Sequence, residues 1–157
     1  MNDAEVLARL TSLGVELPPP PAAVAAYVPV VVSGGTAYLA GQIPMIDGVL
    51  QHPGRLGLDV SIEQGHEAAR RCALQALSAL RAALGGSLDP LERILRVEVL
   101  VASTPDFTEQ PKVANGASEL LAEALGEAGR HARVAVGVTS LPLGACVEVA
   151  VTARVSG

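Results

Sequence analysis

Residues Arg130 to Val155 read RHARVAVGVTSLPLGACVEVAVTARV. Two strand-like runs flank Thr139-Ser140-Leu141-Pro142-Leu143-Gly144-Ala145. In the first, Ala132, Val134, Val136 and Val138 alternate with His131, Arg133, Ala135 and Gly137. In the second, Val147, Val149, Val151, Ala153 and Val155 alternate with Cys146, Glu148, Ala150, Thr152 and Arg154. Period-two alternation marks two half-buried strands. If the loop closes a hairpin centred near Pro142-Leu143, Gly137 falls opposite Glu148 and Arg133 opposite Thr152. One face is then aliphatic. The other gathers Arg133, Glu148 and His131 beside Ala135, Gly137 and Ala150, whose small side chains leave volume for a ligand. A cationic fork, a carboxylate and empty space on one rigid face make this the candidate site.

Working outward, Asp3 to Leu13 has Val6, Leu7, Leu10 and Leu13 at helical spacing, with Gly14 as its stop. Pro18 to Pro21 form a stiff connector. Residues 1–22 are thus a leading helix and Pro-rich connector, and residues 23–157 the core of a single domain. Tyr27–Val32 and Thr36–Ala40 read as strands around Ser33-Gly34-Gly35. Met45 to Asp59 reads as a loop punctuated by Gly and Pro.

Ser61 and Gln64 form a capping-box pattern, followed by an apolar stripe from Ala69 to Leu84. Leu91 to Ala102 is a third strand signal. A second long helix is expected from about Thr108 to Leu125, with Pro111 in its first turn. Two long helices gathered on one face of a four- to six-stranded sheet give a two-layer α+β domain. The polar face of the final hairpin would look away from the helices, with Cys146, Ala135 and Ala150 left for subunit packing.

The chain has 157 residues and a net charge of −5, with no basic stripe and three aromatic residues, Tyr27, Tyr38 and Phe107. That argues against nucleic acid as a partner. Cys72 and Cys146 show no metal-ligand spacing and fit a reducing cytoplasm. Neither a signal peptide nor a membrane-spanning run is indicated, so no membrane partner is expected.

Tyr27, the segment Tyr38-Leu39-Ala40-Gly41-Gln42-Ile43-Pro44, Asn115 with Glu119, and Arg133 followed by Leu141-Pro142 and Val147-Glu148-Val149 resemble the Rid family. This YjgF-type group is often labelled "endoribonuclease L-PSP". The likeness runs from about Tyr27 to Val155. It implies a chorismate-mutase-like α+β fold, a mixed sheet with two long helices on one face. It also implies a homotrimer with ligand clefts between subunits. For one branch it implies hydrolysis of 2-enamine and 2-imine acids such as 2-aminoacrylate to 2-keto acids and ammonia, with no cofactor. Ala25-Ala26 precedes Tyr27 where the deaminases carry Gly-Pro, and Ala40 stands where they usually carry a hydroxyl residue. These departures, with the leading helix, mark a divergent, longer subgroup.

Arg133 presents paired donors in one plane, suited to a substrate carboxylate. The alternative is a surface arginine on an edge strand. Glu148 is expected to position or activate water, or else to neutralise a nearby arginine. Tyr27 and Asn115 match family pocket positions; otherwise they are a core aromatic and a helix-surface amide. Gly41, next to Ala40, allows close backbone approach to a ligand, or simply ends a strand. His131 is placed to tune the site, or to serve as a rim or subunit contact. No residue is assigned to a metal. The expected ligand is a small carboxylate-bearing metabolite, either hydrolysed or merely bound. Ribonuclease activity fits the acidic balance poorly.

Overall fold

Asn2 caps the first helix, α1 (Asp3–Ser12), by accepting from the Ala4 N–H at 3.0 Å. Val6 and Leu10 are buried, and the helix packs against the second long helix of the chain. The Asp3 carboxylate anchors it, accepting from Arg81 Nε and Nη2, both at 2.9 Å, and from the Leu88 N–H at 2.9 Å. That pairing holds the Asp3 carboxyl below its usual pKa, the Arg81 hydrogen bonds being the largest cause. The computed structural model describes residues 2–22 and 26–156. Of the Ala25-Ala26 pair, Ala25 therefore lies outside the described residues.

Strands β1 (Val30–Ser33) and β2 (Thr36–Leu39) form the expected hairpin, turning at Gly34 and Gly35 with φ of +57° and +72°. The segment read as a loop contains a small ribbon, β3 (Met45–Ile46) and β4 (Val49–Leu50). Asp47 and Gly48 join its strands, both at positive φ. Asp-Gly is a strong two-residue hairpin signal, so this ribbon was legible.

Helix α2 (Ile62–Ala83) starts with the predicted capping box between Ser61 and Gln64. Strand β5 (Leu91–Ala102) and helix α3 (Gln110–Leu125) follow. The two long helices approach almost backbone to backbone, because the residues between them are small. A Cβ on Gly116 would lie 1.9 Å from the His66 carbonyl oxygen. Ala69, Ala73, Ala114 and Ala117 are fully buried nearby. With scarcely any aromatic volume available, close-packed Ala, Val and Leu make the core.

Strands β6 (Ala132–Val138) and β7 (Val147–Val155) do not pair with each other. The expected hairpin is overturned. The sheet order is β1-β2-β7-β5-β6, with β5 between them, antiparallel to β7 and parallel to β6. The parallel pair is possible because α3 returns the chain to the same end of the sheet.

Separating the two strands also changes the faces. On β7 the alternation reads as expected, with Val147, Val149, Val151, Ala153 and Val155 buried under the helices. On β6 it inverts. Arg133 pairs in register with Val97, which is itself opposite Val151, so Arg133 shares the helix-covered face. Glu148 and Val136 flank Leu100 and lie on the uncovered face. Cys146 is fully buried rather than displayed for subunit packing.

Candidate functional site

Arg133 sits on the edge strand of the sheet, where its guanidinium crosses to α3. Its Nη1 donates to Asn115 Oδ1 at 2.9 Å and to Ser118 Oγ at 3.1 Å. Its Nη2 makes a longer contact, 3.5 Å, with the Pro111 carbonyl. Asn115 and Ser118 are three apart on a helix and so share one face. Both Nη1 hydrogens are engaged, which fixes the fork. The Nε–Nη2 edge keeps the paired donors that a carboxylate accepts side-on.

His131 completes the cluster. Its Nδ1 lies 2.6 Å from the Gly129 carbonyl, an acceptor, so Nδ1 carries the proton. Nε2 of the neutral ring then accepts the Ser118 hydroxyl proton at 3.0 Å. The chain of donors runs from Arg133 to Ser118, to His131, to the Gly129 carbonyl. Burial, with a smaller contribution from the Arg133 charge, holds the His131 pKa below its ordinary value, against the Gly129 hydrogen bond. The ring is therefore neutral at neutral pH. A cavity of about 280 Å³, lined by Ser118, Ala122, Gly129, Arg130, His131 and Arg133, opens beside this network.

Glu148 belongs to a second cluster. Gln42 exchanges both backbone hydrogen bonds with Val149, at 2.8 and 2.9 Å, which lays Gly41 against Glu148. A Cβ on Gly41 would lie 2.0 Å from Glu148 Oε1, so the carboxyl occupies the space a side chain at 41 would take. Gln75 on α2 holds the adjoining segment, accepting from the Met45 N–H at 2.9 Å and donating to the Ile43 carbonyl at 3.0 Å. Burial pushes the Glu148 pKa up. Ala40 donates to the Pro29 carbonyl at 2.9 Å, and its own carbonyl accepts from Gln42 Nε2 at 3.0 Å. Tyr27 is half exposed, two residues before Pro29.

The structure thus brings Arg133, Asn115 and His131 together, and separately brings Ala40, Gly41 and Glu148 together. It does not unite the two groups within one chain. The shared face expected for Arg133 and Glu148 is corrected by β5 lying between them. Ser118 was missed by sequence reasoning, although its spacing from Asn115 on a helix was available as a signal. Glu119 points elsewhere and pairs with His66 at 2.9 Å, while His52 pairs with Glu67 at 2.8 Å. The thiols are inert: burial raises Cys72 and pushes Cys146 up to about 11. No cluster able to hold a metal ion occurs among the described residues. No helix among them is long and apolar enough to cross a membrane.

A family model described as "YjgF/chorismate_mutase-like, putative endoribonuclease" matches residues 7–155. The chain belongs to the YjgF/Rid family. Protein TCP17 of Trypanosoma cruzi is 48% identical to this Rid chain over 145 residues, 92% of this chain and 90% of that one. Atu1372, a protein with unknown function from Agrobacterium tumefaciens, superposes with a TM-score of 0.93 at 42% identity, covering 98% of this chain and 94% of that one. YyfA, a protein of unknown function of the Rid family from Yersinia pestis, has a TM-score of 0.60 at 25% identity, covering 87% and 93% of the two chains. The gap between 0.93 and 0.60 agrees with a distinct subgroup inside the family.

Proposed function

We propose that this Rid chain hydrolyses small 2-imino and 2-enamino acids to 2-keto acids and ammonia. The observation that carries the reading is the guanidinium of Arg133, held by Asn115 and Ser118 in the lining of a cavity. A carboxylate docked there would be fixed in plane and orientation, which supplies much of what an intrinsically easy hydrolysis needs.

The chemistry follows from the second cluster. The enamine takes a proton from solvent at its β-carbon to become the protonated imine. Water adds to the imine carbon while Glu148 accepts a proton from it, giving the neutral carbinolamine. Glu148 then returns that proton to nitrogen, the C–N bond breaks and ammonia leaves, and the hydroxyl proton passes back to solvent as the carbinol oxygen becomes the keto oxygen. A carboxyl whose pKa is raised by burial suits both halves of that shuttle. The reaction consumes water alone.

Since Arg133 and Glu148 occupy opposite faces of one sheet, a substrate touching both must lie between two copies. We therefore assign the site to a homotrimer in which the β6 edge of one protomer meets the uncovered face of the next. The exposed Val31, Tyr38 and Val136 supply apolar area for that contact. The name endoribonuclease is common in the family, but a net charge of −5 and the lack of a basic stripe favour a small anion over RNA.

The test is to generate 2-aminoacrylate enzymatically and follow keto-acid release. Acceleration by the wild type that falls about 10- to 100-fold in Arg133→Ala supports the reading. Carboxylate binding without acceleration would instead make the chain a metabolite-binding protein.

A further inference from the structure

A second cleft lies towards the other end of β6. Arg55, Ser103, Thr104, Phe107, Gln110, Gly137 and Thr139 line a space of about 380 Å³. Gly137 is four residues along the strand from Arg133, about 13 Å at the usual rise. This cleft is built within a single chain.

Its walls converge on one point. A Cβ on Gly137 would lie 2.7 Å from Ser103 Oγ and 2.9 Å from Gln110 Nε2. Both polar groups therefore aim at the volume that glycine leaves empty. Ser103 is 7% exposed; its hydroxyl makes no hydrogen bond among the described residues and is not sealed from solvent, so it is free to donate into the cleft. Gln110 Nε2 donates one hydrogen to the Phe107 carbonyl at 2.8 Å, which leaves the other. Thr104 Oγ1 is sealed from solvent and makes no bond of standard geometry, although its hydroxyl lies near enough to Asp106 to lower that carboxyl's pKa. Ser103 rather than Thr104 is the donor that faces the cleft.

Arg55 supplies the only charge in the lining. Its guanidinium forms no ion pair among the described residues; the nearby Asp59 accepts from its backbone N–H at 3.2 Å. The arginine is firmly seated. The next residue, Leu56, is fully buried, donates to the Ala102 carbonyl at 2.9 Å and accepts from the Thr104 N–H at 3.0 Å. The N–H groups of Asp59 and Val60 close back onto the Arg55 carbonyl.

We propose that this cleft binds a small oxyanion, the carboxylate or phosphate of a metabolite. Arg55 supplies the charge, and Ser103, Gln110 and Thr139 donate hydrogen bonds over Gly137. The proposal is independent of catalysis at Arg133.

The test is to titrate inorganic phosphate and, separately, pyruvate into isotope-labelled protein, following the amide resonances of Ser103, Gln110, Gly137 and Thr139. Saturable shifts are expected, at least about tenfold weaker in Arg55→Ala and unaltered in Arg133→Ala. Gly137→Ala should abolish them by filling the cleft. An unchanged melting temperature of Arg55→Ala excludes misfolding as the cause. Tighter phosphate binding assigns a phosphate ligand, and tighter pyruvate binding a carboxylate; either supports the cleft. Absence of saturation with both anions, or equal affinity in wild type and Arg55→Ala, overturns it.

Discussion

Arg133 and Glu148 point to opposite sides of one sheet, the first beside Val97 and the second beside Leu100 on the intervening strand. In the proposed reaction each protomer therefore carries two half-sites. The residues that support each half suggest where substitutions will act.

Ser118 holds Arg133 and His131 at once, so Ser118→Ala should loosen the carboxylate fork without touching the water-activating group. We expect KM to rise about three- to tenfold, with kcat changed less, as for the loss of one ordinary hydrogen bond. Steady-state kinetics on a 2-imino acid check this. A fall in kcat alone would place Ser118 in the chemistry.

Glu148 and His131 set the pH dependence. Burial raises the Glu148 pKa, so the deprotonated form needed to activate water is reached above the usual carboxylate range. The acid limb of kcat/KM should rise through that shifted value and flatten in Glu148→Gln. For stability the sign is opposite: a raised carboxyl pKa makes folding less favourable as pH rises through it. Glu148→Gln should therefore melt higher than wild type at neutral pH. His131 has a lowered folded pKa, so its contribution is full above 6.5 and is lost as pH falls below that value. Melting curves across pH, with His131→Asn as control, separate the two.

Gly116 permits the close crossing of the two long helices. Gly116→Ala places a methyl 1.9 Å from the His66 carbonyl, backbone that cannot swing aside. The expected loss is about 1–3 kcal/mol, the range for overpacking a core. Denaturant unfolding measures it, and a loss below about 0.5 kcal/mol, ordinary for a surface position, would contradict the packing described.

Much of this fold was readable from residues. Ser61 and Gln64 announced the longest helix, and the alternation from Leu91 to Ala102 bounded β5, the longest strand, at both ends. Val147 to Val155 read correctly because one face is wholly Val and Ala under helices. The β6 strand misled because it lacks that contrast. Its two faces, Val134 and Val136 against Ala135 and Gly137, are both apolar, so periodicity could not say which meets α3. The small residues do, because α3 lies close there.

Pairing of β6 with β7 was the natural reading, since neighbouring strands often pair. The eight residues between them in fact step over β5. The site inherited that error. Arg133, Asn115 and His131 do lie together, but their union with Glu148 was assumed across a hairpin that does not form. Ser118 and Arg55 carried no motif, and only the folded chain puts the first against Arg133 and the second in one cleft with Gly137.

The division of the site between copies is tested most directly by complementation. Arg133→Ala and Glu148→Ala should each be nearly inactive alone. Unfolded together in equal amounts and refolded as mixed trimers, they should regain about a quarter of wild-type activity, because about one interface in four then pairs an intact Arg133 with an intact Glu148. If the mixture stays as inactive as its parents while each variant still assembles and melts normally, the two residues do not meet across an interface.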